Sequence, residues 1–408
     1  MAERAGETDI AVLGGGIAGL AAALALAAQG RPPLLLDARG LPDWPADAGD
    51  GVLGFDTRVS ALTPRSAAFL DRLGAWPLIA AQRCCPYRHM HVWDAEGTGA
   101  IDFDAAETGV AALGTIVENR LVTAALAARL RERGGLEVLA PARLVAIERR
   151  DDARLRLRLE NGSERDCRLL VAADGALSPT RQLLGFRTRE WDYGHRALVT
   201  TVAFEDSHGH TAWQRFLPSG PLALLPLPAP GERLCSIVWS IDEARADELL
   251  ALDDAAFCAA LTEAAEGRLG AALACAPRHA VPLRQRHAVD YVQSGVALVA
   301  DAAHTIHPLA GQGINLGLAD VEVLVEELQR ALDRGLSPGC LEVLRRYQRR
   351  RKGDNLAMML AMDGFKRLFG ERHPALRWLR NSGLRAVGGA PALKRRIMRH
   401  AMGLAAAP

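Results

Sequence analysis

Apolar runs and turn residues divide the first forty residues into strand, turn, helix and strand. An apolar run at 10–13 meets a glycine turn, an alanine-rich stretch continues to about Gln29, and a second apolar run at 34–36 ends in Asp37. Short apolar runs bounded by glycine predict buried strands, and the alanine-rich stretch predicts a helix. Three consecutive glycines and a polar, non-cationic start argue against a membrane span or signal peptide over Ile10 to Ala28.

The turn carries the pattern Gly14-x-Gly16-x-x-Gly19, which is typical of dinucleotide binding. The first glycine permits a tight turn, the second lets backbone approach a pyrophosphate, and the third lets the helix pack closely on the strand. The positive end of the helix dipole then faces the phosphates. Asp37, 18 residues after Gly19, is placed to accept hydrogen bonds from an adenosine ribose. This pattern alone does not separate FAD from NAD.

Two later segments repeat the arrangement of an apolar strand that ends at an acidic residue. The segment at 169–181 contains Asp174-Gly175, which would also suit an ordinary β-turn. The segment at 294–317 contains Asp301 and a glycine-rich turn that starts another helix. Free N–H groups at such a helix start can hold an anion or a polarised carbonyl.

The rest of the chain predicts a second sheet and a helical end. Strand patterns occur at 88–103 and at 197–241, where apolar runs are separated by Gly, Pro and Ser turns. One helix is predicted from about Glu243 to Glu266, and helical patterns follow Asp320 as far as about Leu404. The sequence therefore predicts an α/β protein whose second sheet covers the cofactor.

Composition narrows the class of protein. The chain has 408 residues, of which 49% are hydrophobic and 24% charged, so it folds into two or three cooperating domains and is neither disordered nor collagen-like. A net charge of +1 gives no overall field for nucleic-acid binding. Seven cysteines without a CxxC pair predict reduced packing thiols in a cytoplasmic protein.

Positive charge is concentrated near the end of the chain. Residues 345–400 have a net charge of +13, which leaves −12 for the rest of a chain whose total is +1. One interpretation places Arg349, Arg350, Arg351 and the cluster at 394–399 on helices that pack against the acidic body. The other makes this segment a surface for anionic lipid that brings the enzyme to a lipid-borne substrate. The three consecutive arginines lie outside every cofactor motif identified above.

At this point the sequence resembles the flavoprotein aromatic hydroxylases that use one FAD and, within them, the ubiquinone-biosynthesis monooxygenases. The resemblance spans nearly the whole chain, and the most specific of its segments is HPLAGQGINLG. The segments that carry it are GGGIAGL at 14–20, FDTRVSAL at 55–62, YRHMHVWD at 87–94, VENRLVTAAL at 117–126, AADGALSPTR at 172–181, LPSGPLALLPL at 217–227, HPLAGQGINLGLAD at 307–320 and FKRLFGERHPALRWLRNSGLRAV at 365–387.

The resemblance implies a set of FAD-binding positions in this chain. It places the three glycines at the pyrophosphate, Asp37 at the adenosine ribose, Arg58 at the phosphates, Asn119 facing the flavin from a helix start and Asp301 at the ribityl chain. Asp174 and Gly175 would support both the flavin and the nicotinamide donor. Pro308 would lie against the isoalloxazine, and the backbone of Ile314 and Asn315 would face its N1/C2=O edge. Neighbours that complete the implied set are Ile17, Ala18, Ala38, Arg39, Arg120, Val145, Gly311 and Gly313.

Ala300 and four histidines lie in or near the segments that carry the resemblance. Ala300 stands before Asp301 where many relatives carry glycine, so the backbone there has a Cβ to accommodate. His304 and His307 show no third partner for a metal site, and a role in the flavin loop is favoured. His89 and His91 alternate and so share one face of a strand, which suits a half-exposed sheet as well as a substrate wall.

The resemblance also implies the domain organisation. A Rossmann-like FAD-binding domain is interrupted by a mixed-sheet substrate domain and followed by a basic helical region. In the same order, the expected ranges are 1–75, 108–185 and 288–330, then 76–107 and 186–287, then 331–408.

The implied reaction is hydroxylation of an aromatic ring. NAD(P)H, docking transiently because only one dinucleotide fingerprint exists, reduces FAD, which captures O2 as a C4a-hydroperoxide and transfers one oxygen atom to an electron-rich phenol. The flavin carries this chemistry, so no side chain is assigned as catalytic acid or base. The implied substrate is a polyprenylated phenol of ubiquinone biosynthesis, handled by a cytoplasmic protein at the inner face of the membrane or with other proteins of that pathway. The alternatives are a soluble hydroxylase of a small aromatic acid and a flavin-retaining subunit without turnover.

Overall fold

The computed structural model of the protein describes residues 7–44, 51–151, 153–305, 313–370 and 386–404, without the side chains of 193, 361–363 and 365–370. Its helices are α1 (Ile17–Ala28), α2 (Pro64–Arg72), α3 (Trp76–Gln82), α4 (Asn119–Arg133), α5 (Pro179–Leu183), α6 (Glu243–Ala251), α7 (Asp254–Ala264), α8 (Gly313–Leu332), α9 (Leu341–Gly370) and α10 (Pro391–Ala401). Its strands are β1 (Glu7–Leu13), β2 (Leu34–Leu36), β3 (Val59–Leu62), β4 (Cys84–Tyr87), β5 (His89–Asp94), β6 (Ala100–Asp104), β7 (Gly114–Glu118), β8 (Val138–Leu139), β9 (Leu144–Arg149), β10 (Leu155–Leu159), β11 (Glu164–Ala172), β12 (Thr188–Phe204), β13 (Thr211–Leu217), β14 (Gly220–Pro226), β15 (Leu234–Asp242), β16 (Ala272–Cys275), β17 (His279–Ala288), β18 (Val292–Gln293), β19 (Val296–Leu298) and β20 (His304–Thr305).

A parallel sheet forms the half of the molecule that carries the glycine turn. Strand β1 pairs in parallel with both β2 and β11, and β11 pairs in parallel with β19, while β8 extends the sheet beyond β2. Helix α1 packs against α4 and α8. The continuous apolar runs follow from burial on both faces, as at Val12, Leu35 and Val171, which are fully buried. The β-α-β start predicted from the sequence is confirmed.

A mixed sheet with the strand order β20-β17-β12-β15-β14-β13-β5-β6 forms the second layer. One face packs against α6 and α7 through Trp239 and Phe257. The opposite face packs against the small sheet β3-β7-β4, where Ala223 and Leu225 meet Ile116. The predicted α/β class with a mixed second sheet is therefore confirmed.

The single helix predicted from Glu243 to Glu266 is wrong, because the structure has two helices there. Leu252 is extended, with ψ of 151°, and it ends α6. Asp253 then caps α7 by accepting a hydrogen bond from the Ala256 N–H. An aspartate side chain that satisfies a free helix N–H favours a new start over continuation.

The helical end of the chain is docked on the body. Helix α9 packs along α8. Met398 and Met402, in and just after α10, are buried in the apolar cluster between the mixed sheet and the small sheet. Arg350 donates to both Glu326 and Glu327. In the part of the chain that the structure describes, no helix combines the length and apolar character that crossing a bilayer requires.

The cysteines behave as the sequence predicts. All seven are free thiols, and five of them are buried. Burial raises the pKa values of Cys85, Cys167 and Cys275 to about 12. These thiols are therefore protonated packing groups.

Candidate cofactor site

The glycine turn before α1 has room for a ligand at one position only. Gly14 has a φ of +116°, and a Cβ there would lie 2.3 Å from the Ala173 carbonyl oxygen. A Cβ on Gly19 would lie 1.8 Å from the Gly14 oxygen, whereas a Cβ on Gly16 would meet nothing within 4 Å. Gly14 and Gly19 are thus required by packing, and Gly16 leaves open space beside the helix start where Ile17 and Ala18 begin α1. That space suits a phosphate group.

Asp37 follows β2 at the same edge of the sheet. Its carboxylate accepts hydrogen bonds from the Gly15 N–H at 2.6 Å and the Arg39 N–H at 2.7 Å. A carboxylate has about four acceptor positions, so capacity for ribose hydroxyls remains. Ala38 and Arg39 are exposed beside it. Val145, 42% exposed on β9, lies three residues beyond Ala142, whose N–H binds the Asp37 carbonyl.

The junction of β3 and α4 brings two further predicted residues together. The Asn119 N–H donates to the Arg58 carbonyl at 2.9 Å. The Asn119 side chain is held by the Ser60 hydroxyl at 2.7 Å. Arg120 points away from this contact and donates to the buried carboxylate of Glu118. Arg58 and Asn119 are therefore fixed beside each other, while Arg120 stabilises the loop before β3.

Asp174 has one oxygen used by the fold and one that is not. Its Oδ2 accepts a hydrogen bond from the Thr180 N–H at 2.9 Å, and its buried Oδ1 has no partner among the described residues. Gly175, with φ of +81°, makes the turn that the Asp-Gly pair predicts. Arg181, from the same motif, donates to the Ala302 carbonyl at 2.8 Å. This motif therefore touches the turn that carries Asp301.

Asp301 lies on a short 3-10 turn and is an exposed residue at the edge of the site. Partial removal of the carboxyl from water by the surrounding protein raises its pKa. The charges of the neighbouring His304 and Arg58 act in the opposite direction. Ala300 adopts a left-handed φ of +53°. Its Cβ points at α8, where a Cβ on Gly317 would lie only 2.7 Å away. The Cβ expected at Ala300 is thus accommodated because Gly317 faces it.

Helix α8 begins at Gly313, so the first N–H groups, including those of Ile314 and Asn315, lack partners within the helix. The Asn315 side chain accepts from the Thr63 N–H and donates to the Ala61 carbonyl, which fixes the helix start against β3. Predicted residues that lie outside the described residues are His307, Pro308 and Gly311.

The sequence patterns do not predict a buried group of polar residues that lies behind the Asp301 turn. Asp320, fully buried on α8, accepts from His304 and from Arg351 of α9. Arg351 is only 3% exposed, so this arginine is not part of a surface for anionic lipid. Arg350 and Arg351 pair with acidic residues, as the packing interpretation predicts. The available signal was an aspartate at the end of HPLAGQGINLGLAD, followed by the mainly apolar helix positions 321–325.

His89 and His91 share a face of β5, as predicted, and it is the face away from the apolar cluster around Ile116. His91 Nδ1 lies 2.5 Å from Asp102 and its ring packs near Trp93 and Trp213. Their neighbour Met90 packs into the apolar cluster instead. This arrangement favours the half-exposed sheet over a substrate wall.

Comparison with known sequences supports a flavin site. The family described as FAD binding domain matches residues 7–358. The chain is 39% identical to 3-demethoxyubiquinol 3-hydroxylase of Escherichia coli (strain K12), over 97% of this chain and 99% of that protein. It is 38% identical to ubiquinone hydroxylase UbiL of Rhodospirillum rubrum, over 97% and 89% of the two chains. Identity to the mitochondrial ubiquinone biosynthesis monooxygenase COQ6 of Homo sapiens is 34%, over 96% and 91%.

Solved structures share the fold. The p-nitrophenol 4-monooxygenase PnpA from Pseudomonas putida superposes with a TM-score of 0.78 at 22% identity, covering 98% of this chain and all of that one. A single-substitution variant of HpxO from Klebsiella pneumoniae, solved with FAD, gives a TM-score of 0.73 at 19% identity, over 98% and 99% of the chains. At 22% and 19% identity, these likenesses show a shared fold and nothing about the reaction.

Proposed function

Because this chain belongs to the FAD-dependent monooxygenases of ubiquinone biosynthesis, we propose that it hydroxylates the aromatic ring of a prenylated phenol. The observation that carries the proposal is the meeting of three separated segments at one site. The open space at Gly16, the free acceptor capacity of Asp37 and Asp174, and the exposed Asp301 suit one extended dinucleotide. Relatives named for ubiquinone and demethoxyubiquinol hydroxylation support the substrate class.

The protein's part in the reaction is to bind, orient and exclude water. FAD, when bound, supplies the chemistry by accepting a hydride from NAD(P)H and activating O2. The side chains of Asp37 and Asp301 would hold its ribose and ribityl hydroxyls, and the α8 start would face the ring edge. The side chains of Ala212, Ala223 and Leu225 are buried between the mixed sheet and the small sheet, which keeps water out of this layer.

The small-aromatic-acid alternative calls for a buried cation that is free to bind a carboxylate. Each buried cation among the described residues already has a partner. Arg181 and Arg286 both bind the Ala176 carbonyl, Arg215 binds the Ala264 carbonyl, and the Arg351 and Lys394 side chains pair with carboxylates. This favours the neutral, prenylated substrate.

The purified protein should be yellow, contain one non-covalent FAD and oxidise NAD(P)H faster when a prenylated phenol is present. Absorbance spectra of the protein and of the flavin released by denaturation measure the first result, and NAD(P)H absorbance measures the second. Protein that takes up NAD but never FAD would contradict the cofactor assignment. FAD retention with NAD(P)H oxidation that no phenol accelerates would favour the non-catalytic subunit.

We also propose that α10 rests on an anionic membrane at the cytoplasmic face. Its inner side is anchored by Met398 and by Lys394, which pairs with Glu107. Its outer side exposes Leu393 and Ile397. Arg395, Arg396 and Arg399 are exposed on the same helix. Met398 belongs to the apolar cluster between the mixed sheet and the small sheet, so the inner side of α10 is attached to the body of the protein.

Charge reversal of Arg395 and Arg396 to Glu should release the protein from anionic vesicles, because each cation near such a surface contributes about 1 kcal/mol. Flotation with vesicles at low salt measures binding. Wild-type binding should weaken as the Debye length falls from about 10 Å at 0.1 M salt to about 3 Å at 1 M. Arg334→Glu, an exposed arginine beyond α8, is the matched control and should still bind. Absence of wild-type flotation at low salt would contradict the membrane proposal and favour docking on other proteins of the pathway.

A further inference from the structure

One buried carboxylate connects the turn that carries Asp301 to helix α9. Asp320 Oδ2 accepts from His304 Nε2 at 2.5 Å and from the Ala300 N–H at 3.1 Å, both in that turn. Its Oδ1 accepts from Arg351 Nε at 2.8 Å and from Asn355 Nδ2 at 3.1 Å, both on α9. The two oxygens of one side chain therefore hold two separate segments of the chain.

The neighbours of Asp320 keep its carboxyl ionised. Burial of Asp320 would raise the pKa of its carboxyl, but His304 and Arg351 outweigh burial and hold that pKa at about 2. The carboxylate is thus ionised at physiological pH, and its four donors occupy its acceptor positions. Arg351 also donates to Asn355 Oδ1 at 2.7 Å, which orients the amide that donates back to Asp320. Loss of Arg351 would leave the buried carboxylate short of one charged partner.

The turn needs to be held in place from outside. Ala300 has a φ of +53°, in the left-handed region that is unfavourable for an alanine. The Asp320 bond to the Ala300 N–H maintains that conformation on one side. On the other side Arg181 holds the Ala302 carbonyl. Asp301 lies between these two attachments, so the direction of its side chain depends on both.

We propose that Arg351 and Asp320 are positioning residues for FAD, acting through the Ala300–His304 turn and touching no part of the cofactor themselves. This inference rests on the proposed FAD site at Asp301. The three consecutive arginines therefore have different roles. Arg349 is exposed, Arg350 pairs with the α8 acids Glu326 and Glu327, and Arg351 sets the flavin turn.

Titration of the FAD-free protein with FAD, followed by flavin fluorescence, tests this inference. Arg351→Gln should weaken FAD binding by about fivefold or more, the size of a typical coupling between two sites. Arg349→Gln and Arg350→Gln are matched controls and should bind FAD as the wild type does. Arg350→Gln also loses ion pairs, so it shows what a loss of stability alone does to binding. Thermal melts of the FAD-free variants confirm that each titration is run on folded protein.

If Arg351→Gln does not fold, Asn355→Ala takes its place, since it removes one neutral donor from Asp320 and leaves the ion pair. It should weaken FAD binding measurably while Arg350→Gln does not. FAD affinity within twofold of the wild type for every folded variant at Arg351 and Asn355 would overturn the inference. Failure of the wild type itself to bind FAD would instead overturn the proposed function, so the two failures are distinct.

Discussion

Gly16→Ala should leave the FAD-free protein folded and weaken FAD binding by about ten- to a hundredfold. A Cβ at this position meets no protein atom within 4 Å, so the fold has room for it. The same Cβ would enter the space in which the pyrophosphate approaches the backbone, and forced overpacking costs about 1 to 3 kcal/mol. Alanine is also a poorer N-cap than glycine, so a loss of about 1 kcal/mol in folding free energy is expected. Circular dichroism and FAD titration measure the two effects separately.

Gly14→Ala and Gly19→Ala provide the contrast. Their Cβ atoms would lie 2.3 Å and 1.8 Å from backbone oxygens, so the backbone itself would have to move. We expect both variants to lose folded protein with or without FAD. Equal FAD affinity in Gly16→Ala and the wild type would show that the pyrophosphate does not lie at this turn.

Asp301→Ala should weaken FAD binding without unfolding the chain. A charge-assisted hydrogen bond to a ribityl hydroxyl contributes about 1.5 to 3 kcal/mol, which corresponds to about ten- to a hundredfold in affinity. The fold should tolerate the change because the side chain is exposed and no described residue is hydrogen-bonded to its carboxylate in the structure. Equilibrium titration with FAD and the flavin content of the purified variant measure the effect.

Asp301→Asn is the matched control for shape. An amide oxygen still accepts a hydrogen bond but carries no charge, so this variant should fall between the wild type and Asp301→Ala. Unchanged flavin content and affinity in Asp301→Ala would mean that the ribityl chain lies elsewhere.

The nucleotide-binding part of the fold could be predicted because its signals are local. A strand, a glycine turn and a helix follow one another within thirty residues, and Gly19 lies against the Gly14 carbonyl inside the same unit. The two helices at 243–264 were also within reach, since Asp253 has the side chain of a helix cap. The apolar and polar pattern continues across Leu252 and Asp253, so this pattern alone predicts one continuous helix.

The network around Asp320 could not be predicted in the same way. Arg351 is one of three adjacent arginines, and the sequence does not distinguish them by type. Only the packing of α9 on α8 decides that Arg351 faces Asp320, while Arg350 faces Glu326 and Arg349 faces solvent. The same holds for Ala300, whose left-handed backbone depends on Gly317 of a different segment.

The most direct test of the account is a single assay that offers the FAD-loaded protein matched prenylated and carboxylated phenols. NAD(P)H and isotopically heavy O2 are supplied, and mass spectrometry identifies the products. We predict that the prenylated phenol gains one heavy oxygen atom on its ring, only when FAD and NAD(P)H are both present. Hydroxylation of the carboxylated phenol alone, or reduced nicotinamide consumed with no oxygen placed in any ring, would contradict it.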